Sequence, residues 1–262
     1  MVVVHCPQFG MRFLKNKTLW PAPLIVLVPL AFIAFRPKPQ PTLATMPPVI
    51  VWAWERPEKL DFINTDQIGV AFLAKTITFS GEMVYIRPRL QPLELVANTK
   101  LVGVVRIETH HKGTPKVGGQ QFQDIVDAIA DVSRSAKVSV VQIDFDAFVS
   151  ERDFYRALLI AVRHRLPSST ALSITALASW CAGDNWLSGL PIDEAVPMMF
   201  RMGLDARQFQ AGELITAQIC QSSAGVSTDE PIKRPRGERL YIFSPKPWTR
   251  DSLNSALETY KQ

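Results

Sequence analysis

The stretch VSVVQIDFDA, residues 138–147, decides how the chain reads. Its first half is apolar and β-branched, the composition of a buried strand. Asp144 and Asp146 lie in its second half, and a carboxylate there is costly unless it is paired or put to use. Side chains alternate along a strand, so Val141, Ile143 and Phe145 share one face and Val140, Gln142, Asp144 and Asp146 the other. One face suits a helix layer. The other grows polar toward the C-terminal end, where barrel enzymes keep their active sites.

Working outward, short apolar runs alternate with amphipathic stretches. VIVWAW (49–54), IGVAFLA (68–74), LVGVVRIE (101–108), ALSITALA (171–178), EAVPMMF (194–200) and RLYIF (239–243) read as strands, with ITFS and EMVYIR as a hairpin around Ser80-Gly81. PEKLDFIN reads as a short helix with Pro57 at its start. A helix near 119–135 presents Phe122, Ile125, Val126 and Ile129 on one face. A second is capped by Ser150, carries Asp153 in its first turn, buries Phe154, Tyr155, Leu158, Leu159 and Val162, and stops at Pro167. A last helix starts near Asp251. Residues 212–238 show little periodicity and read as a long loop. About eight strands with helices between many of them predict an α/β fold, a (β/α)8 TIM-barrel-like single domain over 49–262; an open doubly wound sheet is the alternative. No strand is followed by a GxGxxG or GxxxxGK loop, so no nucleotide cofactor is expected, and no other cofactor is implied.

The formal charge is +5, from 29 basic and 24 acidic residues. Five of the basic residues (Arg12, Lys15, Lys17, Arg36 and Lys38) fall in residues 1–44, which contain no acid, so the remainder is balanced and a nucleic-acid partner is not expected. The basic cluster precedes TLWPAPLIVLVPLAFIAF (18–35), the order of an export signal. Residues 1–35 are therefore expected to be a signal peptide, with Thr42-Leu43-Ala44 as a cleavage site, or an uncleaved membrane anchor. Met11 is an alternative start to Met1. RPKPQPTLATMPP (36–48) reads as a stiff, solvated Pro-rich linker. The expected location is exported, either periplasmic or anchored in the inner membrane and facing the periplasm. Cys181 and Cys220 can pair in such a compartment or remain buried thiols. No cysteine or histidine spacing suggests structural zinc, and His110-His111 reads as a solvated loop.

Polarity recurs on one face of several strands. Arg106 and Glu108 oppose Val105 and Ile107; Tyr85, Arg87 and Arg89 share a face, as do Ser173, Thr175 and Ser179; Arg201 follows PMMF. If these faces turn inward, one mouth gathers Arg87, Arg106 and Arg201 with Glu108, Asp144 and Asp146. Asp144 and Asp146 have Cα atoms about 6.5 Å apart, close enough to split their pKa values. Glycosidases hold two carboxyl groups roughly 5–9.5 Å apart across the bond. The opposing acid is therefore expected from another strand, Glu108 first and Glu55 second. Trp52, Trp54, Trp180 and Trp186, with Asp184 between the last two, supply flat faces for a sugar ring or else ordinary packing. A structural salt-bridge layer is the competing use of the charges.

With WAWERPE, GVAFLA, VVRIE, VQIDFDA, SERDFYRALL, LSITALASWC and DEAVPMMFRMG on the page, residues 49–204 resemble an uncharacterised bacterial family, domain of unknown function 3142. The resemblance implies an exported protein with a glycosidase-like barrel and no established activity. More distantly, Asp144 and Asp146 resemble the aspartates of the D-x-D-x-E strand in chitinase-type barrels, with Phe148 where those have the acid. The expectation is a barrel that acts on or binds an envelope glycan. Asp144, Asp146 and Glu108 are its candidate catalytic acids. Arg87, Arg106, Arg201, the four tryptophans and Asp184 are its candidate binding residues. The alternatives are a non-catalytic module binding sugar or protein, and a site where the three acids hold Mg²⁺ or Ca²⁺.

Overall fold

The alternation expected of residues 138–147 is realised in a closed barrel. A computed structural model describes residues 41–109, 115–134, 138–203, 215–232 and 237–260. The strands are β1 (Val49–Ala53), β2 (Glu58–Leu60), β3 (Ile68–Ser80), β4 (Met83–Pro88), β5 (Leu93–Leu95), β6 (Leu101–Thr109), β7 (Val138–Asp144), β8 (Ala171–Leu177), β9 (Glu194–Met198), β10 (Ser223–Ser227) and β11 (Arg239–Phe243). The helices are α1 (Pro41–Ala44), α2 (Gly119–Ala130), α3 (Arg152–Arg165) and α4 (Arg250–Tyr260). The main sheet runs β1-β11-β10-β9-β8-β7-β6-β3-β4, and β1 also pairs with β3. That second pairing closes eight parallel strands into a barrel, leaving β4 antiparallel on β3. The open-sheet alternative is thereby excluded.

Two apolar clusters follow from the alternation. Val141, Ile143 and Phe145 join the outer core against α2 and α3. Ile125, Val126 and Ile129 of α2 and all five predicted residues of α3 are buried there. Each such side chain contributes about 1.5–3 kcal/mol of burial. The inner cluster contains Ile50, Trp52, Ala71, Val102, Val104, Val140, Ala171, Val196 and Tyr241. Val140 is therefore inside, and Gln142 beyond it donates to Ser173 across β7 and β8 (3.0 Å).

Several local expectations change. ITFS is not a separate strand but the end of the 13-residue β3, whose register shifts between Leu73 and Lys75. The hairpin does turn at Gly81, which adopts φ +61°, a conformation that costs glycine little. PEKLDFIN contains β2 rather than a helix. Glu58 and Leu60 are buried, and the Glu58 carboxylate accepts from Arg56 Nε (2.7 Å) and the Trp248 amide (3.0 Å). Ser150 does not open α3; a short 3₁₀ turn (Val149–Glu151) precedes it, and Glu151 accepts the Phe148 amide (2.8 Å). The loop expected over 212–238 contains β10. Its small residues hide it: a Cβ on Gly225 would stand 2.7 Å from Met198 Sδ.

The linker expected over 36–48 becomes part of the barrel by Leu43. Leu43 and Met46 are buried in the inner cluster, and the Leu43 carbonyl accepts from Arg239 (2.6 Å). Arg239 also donates to Glu194 (2.8 Å), which accepts from Tyr241 (2.7 Å) and Ser173 (2.9 Å). Glu194 and Arg239 begin their strands, so this ion pair lies toward the base, opposite the mouth. Burial, then Glu194 beside it, pushes the Tyr241 hydroxyl well above the ordinary tyrosine range. Residues 1–40 and His110-His111 lie outside the described residues. No described helix is long and apolar enough to cross a membrane.

Candidate functional site

At the C-terminal ends of the strands lies an open cleft of about 620 Å³. Each strand's inward alternation continues into it. Asp144 and Asp146 extend the face of Val140 and Gln142; Arg106 extends that of Val102 and Val104; Trp54 follows Trp52. Arg201 comes from the turn after β9 and Leu177 from the end of β8. Six of the expected residues therefore meet in one cleft: Asp144, Asp146, Arg106, Arg201, Trp52 and Trp54.

The charges are organised around Arg106. Its Nε donates to Glu108 (2.7 Å) and Nη1 to Asp144 (3.1 Å), while its guanidinium lies 5.2 Å from the Trp54 ring. The second Asp144 oxygen accepts the Thr175 hydroxyl (2.7 Å). Burial raises the Asp144 carboxyl above the ordinary aspartate value; Arg106 and Thr175 oppose that rise and Asp146 reinforces it. Burial works against the Arg106 charge, but Asp144 and Glu108 outweigh it and raise its pKa. Asp146 is exposed, and no hydrogen-bond donor to its carboxylate occurs among the described residues. Glu108 lies beside the cleft, turned toward Arg106, and does not line it.

The hairpin rises beside this group. Register places Thr76 between Arg106 and Arg87, and Thr78 between Glu108 and Tyr85, so the shared face expected for Tyr85 and Arg87 adjoins the charges. Arg87 itself donates to Glu55, and that bond holds the Glu55 carboxyl below the ordinary glutamate value. Glu55 is thereby kept ionised and engaged. Arg89 clamps the turn after β1 through the carbonyls of Trp54 (2.7 Å) and Arg56 (2.7 Å).

Trp180, Trp186 and Asp184 lie elsewhere. Both tryptophans are buried in the outer core, with ring centroids 4.7 Å apart and Tyr155 stacked on Trp186 at 5.4 Å. Arg152 covers them and donates to Asp184 (2.6 Å), which also caps Trp186 (2.9 Å). They pack and hold the loop after β8; none lines the cleft. Cys181 in the same loop is bonded to Cys220, tying it to the connection after β9.

Other lining residues were not singled out from the sequence. Phe243 stacks on Trp52 at 4.1 Å, and Phe200 lies 4.9 Å from Phe243. Alternation in RLYIF could have found Phe243, because it falls in step with the inward Tyr241. Arg56 lines the cleft but is held by Glu58 and the carbonyls of Ser244 (2.9 Å), Pro245 (3.1 Å) and Lys246 (2.6 Å). Among the described residues no group of three or more His, Cys, Asp or Glu side chains could hold a metal ion, so the metal reading gains no support.

No family model, curated protein or solved structure matches the chain. The likeness to domain of unknown function 3142 and to chitinase-type barrels stays an expectation, and the functional reading rests on the cleft itself.

Proposed function

We propose that the cleft binds a glycan of the cell envelope and hydrolyses its glycosidic bonds. One observation carries the reading: the cleft has an aromatic side, Trp54, Phe243 and Phe200, and a carboxylate side, Asp144 and Asp146. Aromatic faces suit the C–H faces of a pyranose, and carboxylates suit its hydroxyls and the bond to be broken. Hydrolysis needs a proton at the glycosidic oxygen and a base toward the anomeric carbon or a water. Asp146 is the exposed carboxylate able to reach a substrate. Asp144 is a positioning residue; Arg106 and Thr175 occupy its oxygens, and burial favours its protonated form. Glu108, held by Arg106 beside the cleft, is the second carboxylate that this reading calls on.

A binding module without turnover is the second reading. It is favoured by Arg106, which engages both Glu108 and Asp144 and leaves one exposed acid in the cleft. The buried Cys181–Cys220 bond supports an oxidising, exported location for either reading. The test is reducing-end release from envelope polysaccharides, with binding measured in parallel, for the wild type and Asp146→Asn. The hydrolase reading predicts release lost and binding kept in the variant. Binding without release by either protein selects the module, and equal release by both removes Asp146 from the chemistry.

A further inference from the structure

We infer that the ligand of this cleft is an acidic glycan whose carboxylate is received by Arg201; this rests on the glycan reading above. Of the three guanidinium groups lining the cleft, Arg106 is shared between Asp144 and Glu108, and Arg56 is taken up by Glu58 and three carbonyls. Arg201 alone among them has no carboxylate partner within the described residues. Its side chain is exposed beside Phe200, on the turn after β9, which β8 separates from β7.

Arg201 is also held in an uncommon conformation. Its φ is +54°, left-handed for a residue with a side chain, and its amide donates to Glu230 Oε2 (2.8 Å). Such strain persists where surrounding structure enforces it, often at ligand sites. The turn thus directs a cation to the cleft rim, while the Glu230 carboxylate is spent on the backbone rather than on the guanidinium. The cleft therefore offers an unpaired cation and one unpaired carboxylate. A neutral sugar leaves the cation unused, whereas a carboxylate-bearing sugar pairs with it through the guanidinium fork.

The experiment compares carboxylate-bearing polysaccharides (polymers of glucuronate and galacturonate, and lactyl-bearing amino-sugar glycans) with their carboxyl-reduced forms. Binding is measured for the wild type, Arg201→Gln and Arg201→Lys, with melting temperatures as a folding control. The wild type should bind at least one acidic polymer about 10-fold or more tighter than its reduced form. Arg201→Gln should lose that preference while keeping its affinity for the reduced form, and Arg201→Lys should keep part of it. Equal binding of acidic and reduced forms, or a preference that survives Arg201→Gln, overturns the inference and leaves the glycan reading standing. If neither these polymers nor neutral envelope glycans bind, both fall together.

Discussion

Replacing Glu194 with alanine tests whether the charges at the base are structural. Glu194 is fully buried and accepts from Arg239 (2.8 Å), Tyr241 (2.7 Å) and Ser173 (2.9 Å). Arg239 is itself mostly buried, and among the described residues its other acceptor is the Leu43 carbonyl. The substitution leaves a guanidinium and a phenol without their acceptor in a tight interior. Breaking a buried pair from one side costs about 3–5 kcal/mol, which for a domain of this size lowers the melting temperature by roughly 6–20 °C. Removing both charges should behave differently. Glu194→Leu with Arg239→Met should recover most of the loss, because desolvation of a buried pair offsets much of its attraction. The assay is urea unfolding followed by tryptophan fluorescence. A single variant within about 1 kcal/mol of the wild type would refute the reasoning, because buried charge pairs do not break that cheaply.

Three further outcomes are expected. The Asp144 carboxyl is raised in the fold, chiefly by burial, so the folded state holds its proton more tightly than the unfolded chain does. Its favourable contribution is complete below the ordinary aspartate value and is lost as pH rises through the elevated one. Asp144→Asn should therefore gain stability relative to the wild type as pH rises through that window; a flat or falling difference in unfolding free energy contradicts this. Trp186→Ala should cost about 3–5 kcal/mol and leave glycan affinity unchanged, whereas Trp54→Ala should weaken glycan binding with a smaller effect on stability. Calorimetry with and without ligand separates the two. Reducing the Cys181–Cys220 bond, which spans 39 residues, should destabilise the fold by up to about 4 kcal/mol in unfolding titrations.

The parts of this fold that alternate were legible, because period two assigns faces without knowledge of partners. Val141, Ile143 and Phe145 went outward and Gln142 and Asp144 inward on that rule alone, and the faces of α2 and α3 followed from helical spacing. β10 was not legible: Ser-Ala-Gly-Val-Ser is kept small by Met198 from β9 and so carries little apolar signal. PEKLDFIN misled because Pro57 and its spacing favour a helix, while the burial of Glu58 depends on Trp248, far along the chain. At the site, strand ends located Asp144, Asp146 and Arg106 correctly in space. The tryptophans could not be sorted the same way. Trp54 directly follows a strand whose alternation places it in the cleft, but Trp180 and Trp186 sit on 3₁₀ turns where no period applies. Which carboxylate Arg106 chooses also lies beyond sequence, since Glu55, Glu108 and Asp144 all stand near arginines and only geometry distributes them.

The most direct test of the central claim is a crystal structure of Asp146→Asn with an oligosaccharide found by the polysaccharide screen. The account predicts a sugar ring against Trp54 and Phe243, with the substituted side chain at position 146 within hydrogen-bond distance of a glycosidic or ring oxygen. A sugar seated away from the barrel mouth, with that cleft empty, would contradict it.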